Sequence, residues 1–183
     1  MDRRELLKAA MAGTLTWRVG PAARAQTDAA SLPAQPGDRL VRLGDSAKNP
    51  LTPGDIAVGA IQTTAVPMDE KTGTLRSGSR LNQVLLLRFD PSTLMPETRA
   101  RAADGVVAYT AICTHNGCDV DDWIAGEKIL SCSCHTSMFD PKDGAKVVDG
   151  PAPRALPALP LTVVDGLLVV AGPFTSKVGF EKG

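Results

Sequence analysis

The chain has 183 residues, with 20 basic and 20 acidic side chains and a hydrophobic fraction of 43%. That is enough for one domain with a sizeable core, and an aromatic fraction of only 4% makes the core aliphatic. After residue 25 the balance is 15 basic to 18 acidic side chains, net −3, which argues against nucleic acid or an anionic membrane surface as partner.

The N-terminus reads as an address. MDRRELLKAA supplies Arg3 and Arg4, a short apolar run AAMAGTLTW follows, and Ala23 and Ala25 stand at the small-residue positions of a cleavage site. Residues 1–25 resemble a twin-arginine export signal, cut after Ala25, which places the mature protein in the periplasm. The alternative is a short amphipathic helix on a protein that stays inside. The apolar run is far below the ~20 residues a membrane span needs, and no later stretch is longer, so no transmembrane anchor is expected.

Residues 26–38, QTDAASLPAQPGD, are small and polar and read as a tail or linker. Short apolar, β-branched runs then suggest strands at 39–44, 55–66, 82–90, 105–113 and 128–135. Residues 68–80 read as a surface loop, 91–105 as a connection with one short helical turn, and 136–160 as loop. LTVVDGLLVVAG, 161–172, reads as a hairpin, with Asp165-Gly166 suited to a type I′ turn. With 17 Gly and 14 Pro among such runs, many short strands and turns are favoured over long helices, which suits an all-β class.

All four cysteines and both histidines fall in two short stretches, CTHNGC at 113–118 and CSCH at 132–135. Each lies in the turn beyond a predicted strand, where a rigid scaffold can position a site. Cys113-x-His115 and Cys132-x-x-His135 make a four-ligand set for a soft or borderline metal. Cys118 and Cys134 are left over, one in each loop, and two such thiols should pair in an oxidising compartment. Two plain disulfides or a structural zinc ion are the alternative uses of these residues.

The pattern over 113–153 resembles the Rieske iron–sulfur proteins, in their high-potential, disulfide-containing branch. The shared features are Cys-x-His, about sixteen residues, Cys-x-x-His, the extra cysteine pair, then Ser137, Phe139-Asp140, Gly144 and GPAP at 150–153. The resemblance implies a Rieske-type [2Fe-2S] cluster with Cys113 and Cys132 on one iron and His115 and His135 on the other. It implies a Cys118–Cys134 disulfide, and surroundings that include Ser137, Phe139 and the covering loop with Gly150, Pro151 and Pro153. It also implies a Rieske fold over 39–183: an antiparallel β-sandwich base domain with an inserted cluster-binding subdomain of two loops at about 111–154. The activity implied is one-electron transfer, by a subunit that is not catalytic alone. Two neutral imidazoles in place of two thiolates raise the potential to ~−150 to +300 mV, against ~−400 mV for all-cysteine plant-type clusters.

Three positions depart from the quinol-oxidising members of that family. Asn116 stands where an apolar residue is usual, Phe139 where a tyrosine hydroxyl bonds a ligand sulfur, and Thr136 where glycine is usual. Loss of the tyrosine donor implies a potential below that of the bc-type proteins. With export and the short chain, these features resemble most the small subunit of arsenite oxidase. The partners so implied are a large catalytic subunit carrying molybdopterin and a c-type cytochrome as acceptor. The Rieske component of a quinol:cytochrome c oxidoreductase is the alternative. Across 111–154 seven acids face four bases. That excess could steer a basic cytochrome, but Asp in turns explains it more simply.

Overall fold

A computed structural model describes residues 29–180. The export signal read over 1–25 and the start of the tail at 26–28 lie outside the described residues. Among the described residues ten strands form two antiparallel sheets, an all-β fold. The larger sheet has six strands, β1 (Arg39–Arg42), β2 (Thr63–Met68), β3 (Val84–Arg88), β4 (Val106–Thr110), β9 (Leu161–Val164) and β10 (Leu167–Val170). Their order is β4-β3-β2-β1-β10-β9. The smaller sheet runs β5 (Asp122–Ile124), β6 (Ile129–Cys132), β7 (Ser137–Asp140), β8 (Lys146–Asp149).

Two cores follow from the period-2 alternation of strand side chains. On one face of β3 and β4, Val84, Leu86, Val106 and Ala108 join Leu40, Ala65, Leu168 and Val170 inside the larger sheet. On the other face Leu85, Leu87, Val107 and Tyr109 meet Leu130 and Phe139 of the smaller sheet. Hence β3, VLLLR, is apolar up to its closing Arg88: its first four residues are buried on both sides. The free edge of β4 is covered by the chain leading into β9, through Thr110 N–H to Pro157 O (2.9 Å) and Leu159 N–H to Ala108 O (2.9 Å). The larger sheet thus rolls toward closure.

The hairpin β9–β10 forms at the predicted place, with Asp165 and Gly166 both at positive φ, 51° and 78°, as a type I′ turn requires. A one-turn helix, Pro96–Arg99, sits in the 91–105 connection. The strand expected over 55–66 is instead β2 over Thr63–Met68. Its Pro67 is tolerated because it lies past the pairing with β3, where its carbonyl accepts from Arg76 N–H at 2.8 Å and its nitrogen needs no partner strand. The loop expected over 136–160 contains β7 and β8. Asp38, at the end of the stretch read as a tail, is buried and held by Arg76 through Nε (2.5 Å) and Nη2 (2.8 Å).

Candidate metal centre

Both cysteine–histidine stretches are tight turns closed at the base by their own backbone. In the first, Val120 N–H bonds Ala111 O (2.8 Å), Cys113 N–H bonds Cys118 O (2.7 Å), and Gly117 N–H bonds Cys113 O (3.1 Å). Gly117 has φ 75°, a conformation that glycine takes without steric cost. The second turn joins β6 to β7, with Cys132 paired to Ser137 and Thr136 N–H bonded to Cys132 O (2.9 Å). Each cysteine at a base, Cys113 and Cys132, is a buried free thiol. Each histidine rides in its turn, His115 half-buried and His135 exposed.

The turns converge. The His115 and His135 rings lie with centroids 4.7 Å apart and planes at 89°. Cys118 and Cys134 are bonded to each other, as expected, and clamp one turn to the other. Their sulfurs and a ring nitrogen of His135 lie within 4.8 Å of one another, but a disulfide offers no thiolate, so that trio is not a ligand set. Burial pushes the Cys132 thiol above its ordinary pKa and the adjacent Cys113 adds to the rise, while the backbone N–H groups of Cys134 and His135 oppose it. Those N–H groups are donors to the sulfur of Cys132.

Only three buried side-chain polar atoms among the described residues lack a partner: His115 Nδ1, Ser137 Oγ and Gln62 Oε1. Two of the three are at this site. Leaving such atoms unpaired costs ~1–3 kcal/mol each, so their coincidence with two buried thiols fits a group that accepts nitrogen coordination and a hydroxyl donor. A [2Fe-2S] cluster with its bridging sulfides is such a group.

Around the turns, Gly150 has φ 85° and packs on the second turn: a Cβ there would lie 2.5 Å from Ser137 Cα and 2.7 Å from Thr136 O. Pro151 and Pro153 are exposed, and Ala152 between them is buried with Cys113, Cys132 and Phe139. Phe139 is fully buried.

Sequence reading missed several contacts that shape the site, because they join residues far apart in the chain. Arg80 donates to Gly117 O (3.0 Å) and to Asp119 Oδ1 (2.5 Å). Asp121 accepts from Ser133 N–H (3.1 Å) and Ser133 O–H (2.8 Å), tying the first turn's exit to the second turn. The Thr114 hydroxyl donates to Arg154 O (2.6 Å). Nothing in their local sequence marks them. Several of the acids noted above serve local turns, since Asp140, Asp122 and Asp149 accept from the N–H groups of Lys142, Trp123 and Gly150.

An all-β scaffold presenting two paired turns, with two buried thiols and two imidazoles, offers the donor set of a soft or borderline metal centre, a Rieske-type iron–sulfur cluster among them. A model of the Rieske [2Fe-2S] domain matches residues 67–160, just over half of the chain. The cytochrome bc1 complex Rieske iron-sulfur subunit of Streptomyces lividans is 35% identical over 154 residues, covering 80% of this chain and 89% of the relative. Its Streptomyces coelicolor counterpart is 32% identical over 198 residues, covering all of this chain, which spans 55% of that relative's length. The putative respiratory nitrate reductase subunit Rieske of Haloferax mediterranei is 50% identical over 76 residues, 41% of this chain and 34% of the relative. The chain belongs to the Rieske [2Fe-2S] family, and its function is electron transfer through a Rieske-type cluster.

Proposed function

We propose that this chain is the Rieske component of a respiratory complex of the cytochrome bc1 type, exported by the twin-arginine pathway. In this reading Cys113 and Cys132 hold one iron and His115 and His135 the other. The observation that carries it is the pair of unpartnered atoms, His115 Nδ1 and Ser137 Oγ, converging with two buried thiols. When bound, the cluster supplies one-electron transfer at a raised potential. The chain's residues do the rest. The two imidazoles would hold the second iron and bring the site to the surface on the exposed His135 side, where a redox partner can approach. Ser137 Oγ supplies a hydrogen bond that favours the reduced, more negative state. The disulfide and Gly150 hold the turns together and keep water from the thiols.

The relatives that cover most of the chain favour the bc1-type partner. A second reading, the small subunit of a molybdopterin oxidoreductase of the arsenite oxidase type, is favoured by exposed, polar Asn116 at the tip and by Phe139 without a hydroxyl. Purification from the native source separates them. A quinol-oxidising membrane complex containing this chain supports the first; a complex with a large molybdenum subunit, free of cytochrome b, supports the second. A preparation with zinc in place of two irons and two acid-labile sulfides would contradict both.

A further inference from the structure

Beyond the two turns and the covering loop, the last described segment, 176–180, also reaches the site. Arg154 follows directly on the covering loop and takes hold of this segment. Its guanidinium donates to Lys177 O (2.8 Å), Gly179 O (2.7 Å) and Ser176 Oγ (3.3 Å). Its own carbonyl accepts from the Thr114 hydroxyl (2.6 Å), inside the first turn and next to His115. A planar fork with several donors suits this better than the single ammonium point of lysine. The segment so held is well placed: Gly179 is buried beside Leu81 and Ile112. The next residue, Phe180, lays its ring on Gly117, where an added Cβ would sit 2.8 Å from Phe180 Cδ1. Phe180 is 40% exposed and its neighbour Leu81 45%, so the contact faces solvent at the rim of the first turn. The first turn is therefore gripped from two sides: Arg80 bonds its Gly117 carbonyl and Phe180 covers its Gly117 face.

We propose that segment 176–180 is a strap over the first turn, and that Arg154 is the positioning residue that fastens it and so slows loss of the cluster. The proposal rests on the reading that Cys113 and His115 hold iron. It accounts for a feature that the turns leave unexplained, since Asn116 at the tip offers no apolar cover and Phe180 supplies it from the far end of the chain.

The test uses the full-length, cluster-loaded protein and follows release of iron to a chelator, together with tryptic cleavage after Lys177. Arg154→Gln should speed both by about tenfold, the effect of losing one charge-assisted hydrogen bond from a local clamp. Arg154→Lys should recover part of the loss. Arg88→Gln is the control. Arg88 makes three comparable bonds, to Asp104 and Pro53, at the opposite end of β4, so its loss should leave iron release unchanged. Phe180→Ala should speed release and move the g-values of the reduced protein's electron paramagnetic resonance (EPR) spectrum. Gly117→Ala should cost several-fold more in wild type than in the Phe180→Ala background, because the backbone penalty of alanine at φ 75° is common to both and cancels. Wild-type release and cleavage rates in Arg154→Gln, or simple additivity of Gly117 and Phe180, would overturn the strap while leaving the ligand reading intact. Wild-type protein that binds no iron would overturn both.

Discussion

At Thr136 the chain holds a β-branched residue at φ 56°, a left-handed conformation that such residues rarely adopt. The turn demands it: Thr136 N–H closes on Cys132 O, and the next residue must deliver Ser137 into β7. The hydroxyl of Thr136 bonds the His135 carbonyl at 2.8 Å, a partial compensation. Strain of this kind costs ~1–3 kcal/mol, and glycine gives back ~0.5–1 kcal/mol through unfolded-state entropy. Thr136→Gly should therefore raise stability by roughly 1 kcal/mol, measured by denaturant unfolding. Next to it, Ser137 is fully buried with an unpartnered hydroxyl. A hydrogen bond of about 1 kcal/mol corresponds to roughly 40 mV for one electron. Ser137→Ala should lower the reduction potential by that order with little change in the fold, as a spectroscopic redox titration would show. The chemistry of these residues was partly legible in sequence. The serine was expected beside the cluster, while the oddity at Thr136 had no account until its φ was seen.

Between elements, two links carry the turns, one covalent and one polar. The disulfide spans a sequence separation of 16, and in the chain-entropy model a loop of that size contributes ~3 kcal/mol. Cys118→Ser should cost that order in stability and speed cluster loss, read by thermal unfolding and by bleaching of the visible spectrum. The polar link is Asp121, whose carboxyl is held below its usual range by the N–H of Ser133 and then by its hydroxyl. A depressed carboxyl contributes stability above its ordinary value near pH 4 and loses it as pH falls through the folded value. Cluster release should thus accelerate on acidification below about pH 4, and Asp121→Asn should remove part of that acid dependence while loosening the second turn at neutral pH. Strands rich in β-branched and aliphatic residues were readable in the sequence, as β3, β4, β6 and the β9–β10 hairpin show. Strands β5, β7 and β8 were not: β5 has only three residues, β7 and β8 lie among the Gly, Pro and Asp residues of 136–160, and Lys146–Asp149 carries almost no buried side chain. Their pairing is imposed by neighbours such as β6, not by their own pattern.

Across the whole molecule, the site was legible because its six sulfur and imidazole residues lie in two short turns of one sequence region. Its support was not, because Arg80, Arg154 and Phe180 are brought in by tertiary folding from the chain before and after. The same holds for the buried Arg76–Asp38 pair, which ties residues before β1 to the turn after β2. The choice of partner is also a property of the assembly. Two of the relatives named above are cytochrome bc1 complex subunits, and Asn116 and Phe139 are the residues by which this chain would differ from a quinol-oxidising member. No helix among the described residues is long and apolar enough to cross a membrane. The central claim is that two thiols and two imidazoles of this chain share one redox cluster, and an EPR-monitored redox titration tests it most directly. The account predicts a one-electron signal from the reduced protein with a midpoint between about −150 and +300 mV, abolished in Cys132→Ser and His135→Ala. A potential near −400 mV, typical of all-cysteine ligation, or no EPR signal at any potential, would contradict it.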